Sequence, residues 1–126
     1  MPTVLFFRPD VDTALKYGKH WLSVGVQEAI NRGYKVIDLV DEACDFETLK
    51  ETLEREKPEV AILLGHGNYR TFTGFEQRIV FQKCQNDEIM SGTMSHFLSC
   101  SVGQELLPDI ITKNAVWTVG YQVDFE

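Results

Sequence analysis

His66 and Cys100 are two residues of this chain whose types and setting could do covalent chemistry together. Each closes an apolar run: Val60-Ala-Ile-Leu-Leu leads through Gly65 to His66-Gly67, and His96-Phe-Leu-Ser leads to Cys100-Ser101. A cysteine attacks as its thiolate, and a neighbouring imidazole can hold the proton and later deliver it to a leaving amine. In open parallel α/β sheets, ligands collect beyond the carboxyl ends of the strands. If the two runs are neighbouring strands, their axes lie ~4.8 Å apart, which brings imidazole and thiol close without a special loop. Gly67 lacks a Cβ and can offer its N–H to a substrate carbonyl, so that with the N–H of Cys100 it could form an oxyanion hole. A helix expected to start just after Cys100 would add free N–H groups and a dipole that favour the thiolate. Each residue also has a plainer reading: His66 as a turn residue, Cys100 as a small buried hydrophobe. Their pairing at two strand ends favours function.

The elements that must position this pair are legible as an alternation. Thr3 to Phe7 is a β-branched and aromatic run of strand length, ended by Arg8-Pro9-Asp10. Asp12 is placed to cap a helix from Thr13 to Asn31, closed by Arg32-Gly33. Leu15, Leu22, Val26 and Ile30 recur within it at helical spacing and predict an inward face. Lys35 to Val40 is a second strand, and Asp45 caps a second helix from Phe46 to Lys57, stopped by Pro58. The unbroken Val60 to Leu64 suits a central parallel strand covered on both faces. Tyr69 to Gly92 is the least periodic stretch, with a short strand or helical turn around Ile79 to Phe81 and a turn near Asn86-Asp87. Met94 to Ser99 is a fourth strand, Val102 to Lys113 a helix interrupted by Pro108, and Ala115 to Val119 a fifth strand. The expectation is an α/β three-layer sandwich with a mostly parallel sheet and a flavodoxin-like core, as a single domain over residues 1–126. It leaves open that the chain is part of a longer one.

Composition narrows the function classes. At 126 residues, 44% apolar and 25% charged, the chain has the profile of one globular domain. A net charge of −7 speaks against nucleic acid and anionic lipid as partners. No apolar run approaches the ~20 residues of a membrane span. Three cysteines without C-x-x-C spacing argue against a disulfide scaffold or a metal site and for a reducing cytoplasm. Cys44 and Cys84 are read as structural or loop thiols, His96 as a sheet-face histidine, and Trp21 and Trp117 as core or interface residues. No cofactor is expected. The chain carries no G-x-G-x-x-G and no G-x-x-x-x-G-K-[ST], which leaves little support for a nucleotide- or flavin-binding module.

An apolar strand ending in His-Gly, followed by one ending in Cys100-Ser101, resembles the caspase-like cysteine peptidases: caspases, gingipains, clostripain, separase and the CHAT-domain proteases. Thr73-Gly74 and the closing Ala115-Val-Trp-Thr-Val-Gly-Tyr121 are similar to the gingipain-like and CHAT branch. The resemblance implies a caspase-like fold and a cysteine endopeptidase, with a peptide or protein as substrate. It implies His66 as general acid/base, Cys100 as nucleophile, and the N–H groups of Gly67 and Cys100 as the oxyanion hole. Asn68 and Arg70, just past the histidine, and Asp124, past the fifth strand, are candidate substrate contacts. Arg70, with Arg78, would suit an acidic side chain and Asp124 a basic one; the balance favours Asp124. The chain ends soon after its fifth strand, where family members continue into segments that help build the specificity pocket. This motivates the alternative of a catalytically inactive caspase-like domain serving assembly or regulation, as a homo-oligomer or with a regulatory partner.

Overall fold

The computed structural model describes residues 2–10, 12–113 and 115–121. Strands β1 (Thr3–Arg8), β2 (Lys35–Val40) and β3 (Val60–Leu64) are separated by helices α1 (Thr13–Asn31) and α2 (Phe46–Glu56). The short strands β4 (His66–Gly67), β5 (Thr71–Thr73) and β6 (Ile79–Gln82) follow, then β7 (Met94–Leu98), α3 (Leu106–Thr112) and β8 (Trp117–Val119). β1, β2, β3, β7 and β8 form a five-stranded sheet in the order β2-β1-β3-β7-β8, with every neighbouring pair parallel. β4, β5 and β6 form a separate antiparallel sheet of three strands. The expected α/β architecture with a mostly parallel sheet is therefore present, with a second small sheet added.

Strand parity divides the main sheet into two faces. Leu5 and Phe7 of β1, Ala61 and Leu63 of β3 and Phe97 of β7 point into the main core, where Leu49 and Leu53 of α2 and Leu106 and Ile110 of α3 meet them. The small sheet is attached there through aromatic rings: Phe72 of β5 packs edge-on against Phe97 with centroids 5.1 Å apart and lies 5.8 Å from Phe7. Phe81 of β6 closes the cluster, 5.9 Å from Phe97. The opposite face carries Phe6 and Leu64, and α1 packs on it across β2, β1 and β3. Close approach depends on two glycines, Gly18 lying against Leu64 and Gly25 against Phe6. Leu15 and Ala29 are buried with them. Ile30, expected to face inward, is exposed, because the glycine-lined side of α1 lies closest to the sheet and turns Ile30 outward. Buried Arg8 ties α1 to β2, bonding Asp38 through Nε at 2.9 Å and the carbonyl of Lys19 through Nη1 at 2.8 Å.

Caps explain the helix boundaries. Asp12 accepts from the Leu15 N–H at 3.0 Å and Asp45 from the Thr48 N–H at 2.8 Å, as expected for N-cap carboxylates. Gly33 takes φ +82° after α1, and Lys57 closes α2 in the left-handed region. Pro108 does not break α3. The helix begins only at Leu106, so the proline falls in the first turn, where its missing N–H has no intrahelical acceptor to lose. The same boundary corrects the expectation at Cys100, since a turn over residues 101–105 separates it from the helix start. β7 ends at Leu98 and β8 begins at Trp117, each shorter than the sequence suggests.

Candidate active site

β3 and β7 lie side by side, with Leu64 the register partner of Leu98. His66 and Cys100 each lie two residues beyond these partners, so both chains leave the sheet at the same edge and on the same parity. The chain beyond β3 stays against the chain beyond β7: the Gly65 N–H donates to the Leu98 carbonyl at 3.3 Å. At Gly67 a Cβ would stand 2.9 Å from the Cys100 carbonyl oxygen and 2.6 Å from Val102 Cγ1, and would overlap Ser99 Oγ. Glycine is required here by space, which is how the histidine strand can press against the cysteine turn.

His66 sits on β4, paired with β5 so that Gly67 faces Phe72, and the Asn68 N–H donates to the Thr71 carbonyl at 3.0 Å. In an antiparallel ladder the hydrogen-bonded and non-hydrogen-bonded pairs alternate. Gly67 and Phe72 are thus a non-hydrogen-bonded pair, and the Gly67 N–H turns away from β5. The Thr73 hydroxyl donates to the His66 carbonyl at 3.2 Å and fixes the backbone that carries the ring. Ser99 Oγ, buried against Gly67, has no hydrogen-bond partner among the described residues.

The imidazole has a partner that sequence reasoning assigned only to helix capping. His66 Nε2 lies 2.5 Å from Asp12 Oδ2, while Oδ1 of the same carboxylate accepts from Leu15. One side chain therefore caps α1 and orients the ring. The two groups are about equally open to water, at 37% and 39% exposure, so the contact serves orientation more than stability. With Nε2 held by Asp12, Nδ1 is the ring nitrogen left for a reacting group. Cys100 is half-buried. The other thiols differ. Cys44 is buried, donates to the Leu39 carbonyl at 3.2 Å, and is pushed up to about 12 by burial. Cys84 is an exposed loop thiol 3.6 Å from Asp109 Oδ1.

A cavity of about 160 Å³ opens beside His66, lined by Gly67, Asn68, Thr71, Thr73 and Gln77. Its walls are neutral and polar apart from the histidine. Cys100 is not among the residues that line this cavity; another hollow, of about 310 Å³, lies between Leu53, Pro58 and Ile89. Asn68 lines the cavity, although its Oδ1 is occupied in shaping the turn, accepting from the N–H groups of Arg70 and Thr71 at 3.0 Å each. Arg70 is exposed and does not line the cavity, and Arg78 is exposed and paired with Glu76. Asp124 lies outside the described residues. His96 is half-buried on β7, 3.0 Å from the Tyr121 hydroxyl, and burial lowers its pKa. Among the described residues no cluster of three His, Cys, Asp or Glu side chains could hold a metal ion, and no helix is long and apolar enough to cross a membrane.

The chain is 34% identical over 68 residues to a 5-formaminoimidazole-4-carboxamide-1-(beta)-D-ribofuranosyl 5'-monophosphate synthetase from Pyrobaculum arsenaticum. The match covers 52% of this chain and 20% of that protein, so the chain spans about a fifth of the length of this relative. No family model and no solved structure matches the chain.

Proposed function

We propose that the chain is a cysteine endopeptidase of the caspase-like type, a three-layer sandwich, with Cys100 as nucleophile and His66 as general acid/base. The observation that carries this reading is the juxtaposition of His66-Gly67 with Ser99-Cys100 beyond two register-paired parallel strands. In the first step Cys100 Sγ bonds to the scissile carbonyl carbon and its proton passes to His66. The C–N bond then breaks as His66 returns that proton to the leaving amine, giving a thioester. Water, deprotonated by His66, attacks the thioester carbonyl, and the acid product leaves as the thiol regains its proton. The Gly67 N–H, turned away from β5, supports a role in holding the oxyanion with the N–H of Cys100. Asp12 supports the reading as the group that keeps the imidazole in one orientation. The neutral polar cavity beside His66 favours an uncharged residue at the cleavage site over the charged ones suggested by Arg70 or Asp124. Profiling the purified protein against a peptide library, with Cys100→Ala as control, tests this. Cleavage lost in the control is expected; equal cleavage by the control, or none by wild type, would remove the peptidase reading.

A second reading follows from the similarity to part of a ribofuranosyl 5'-monophosphate synthetase. The crevice beyond β3 and β7 would then bind a ribose phosphate, the catalytic pair being incidental. A rise in melting temperature with ribonucleoside monophosphates, with no cleavage of any peptide, would favour it.

A further inference from the structure

The core-side face of the main sheet is closed by α2, α3 and the small sheet, whereas α1 spans only β2, β1 and β3 on the other. Parallel sheets are normally covered on both faces. Beyond β3 the second face continues on β7 and β8, where Trp117 is 43% exposed and Val119 is also exposed. α1 borders this open floor with an apolar flank. Lys19, on the flank facing β2, bonds Asp41 at 2.8 Å. Tyr17, Trp21 and Val24 stand on the opposite flank at helical spacing, looking toward β7, and Trp21 is 73% and Tyr17 62% exposed.

We propose that this surface is the interface of a two-fold dimer of the chain, each copy laying the Tyr17–Trp21 ridge of α1 on the open β7–β8 floor of the other. A two-fold contact must be self-complementary, and here, among the described residues, a protruding ridge and a floor covered only in part, by Tyr121 against His96, lie next to each other on one patch. The area is of the right order. At roughly 150–250 Å² per aromatic side chain, the exposed parts of Tyr17, Trp21 and Trp117 supply roughly 270–450 Å². Val24 and Val119, 71% and 42% exposed, extend the patch toward the low end of specific interfaces, about 600 Å² per partner. The patch is rich in the aromatic residues that dominate interface cores. The inference stands apart from the peptidase reading, since none of these residues belongs to that site.

Sedimentation equilibrium of the full chain over about a hundredfold range of concentration tests it. Twice the chain mass is expected for wild type. Trp21→Lys and Trp117→Lys should each weaken association about 30-fold or more, the size of a buried aromatic hot spot. Ile79→Lys, exposed on β6 of the small sheet, should leave it unchanged, and far-UV circular dichroism verifies that each variant is folded. A wild-type monomer at every concentration, or a dimer that both patch variants preserve, would overturn the proposal.

Discussion

Replacing Asp12 separates the two jobs that its carboxylate does. Oδ1 caps α1 through Leu15, and Oδ2 holds His66 Nε2 at 2.5 Å. Asp12→Ala removes both. Loss of an N-cap costs about 1 kcal/mol, which for a chain of this length lowers the melting temperature by roughly 3–5 °C. Asp12→Ser keeps a good N-cap, because a serine hydroxyl can still accept from Leu15, but it cannot also reach the imidazole. Its stability should stay within about 0.5 kcal/mol of wild type. Both variants should slow alkylation of Cys100 by a peptide-based probe about threefold to fivefold. That is the rate equivalent of about 1 kcal/mol, the most that an ion pair this open to water is worth. The assay pairs thermal unfolding with probe-labelling rates mapped to Cys100 by mass spectrometry. Wild-type labelling by Asp12→Ser would refute the positioning role, and a serine variant as unstable as the alanine one would refute the capping role.

Other substitutions and conditions give independent checks. Gly67→Ala would press a methyl against Ser99, Val102 and the Cys100 carbonyl, so it should cost about 1–3 kcal/mol in urea unfolding and abolish probe labelling; a stable, fully labelled variant would contradict the packing. Cys44, pushed from 9.0 to about 12 by burial, should carry about a thousandfold less thiolate at neutral pH than an ordinary thiol and resist a disulfide reagent in the native state, while exposed Cys84 reacts. Cys44 titrating together with Cys84 would count against its burial. His96 is held below its ordinary 6.5 by burial, so the folded state prefers it neutral. Its contribution is then fully present above about pH 6.5 and is lost as pH falls toward the folded value. Stability of wild type should therefore fall between pH 7.5 and 5.5 more than that of His96→Gln, compared by urea midpoints; parallel curves would show that His96 titrates freely.

The parts of the fold legible in the sequence are those set by local periodicity and punctuation. α1 and α2 announce themselves through Asp12, Asp45, Gly33 and Pro58, and β1 to β3 through their apolar runs. The candidate pair was legible because His66 and Cys100 both follow such runs. Of the small sheet only β6 was legible, as a short strand or helical turn around Ile79 to Phe81. β5 is three residues long with Phe72 its one large apolar side chain, and it forms because that ring and Phe81 reach Phe97 across the chain. Asp12 was legible as a cap but not as the partner of a histidine 54 positions away, since sequence spacing carries no trace of that meeting. Trp21 and Trp117, suggested for core or interface, are not in the core: α1 turns its glycines rather than Trp21 to the sheet, and Trp117 stands on the edge strand β8.

If His66 and Cys100 work as one unit at the paired ends of β3 and β7, an irreversible peptidyl probe should read it out when the modified residue is mapped by mass spectrometry. Single-site modification of Cys100 in wild type, slowed at least about a hundredfold in His66→Ala, is the expected result. Equal labelling of Cys100 in both proteins would contradict it.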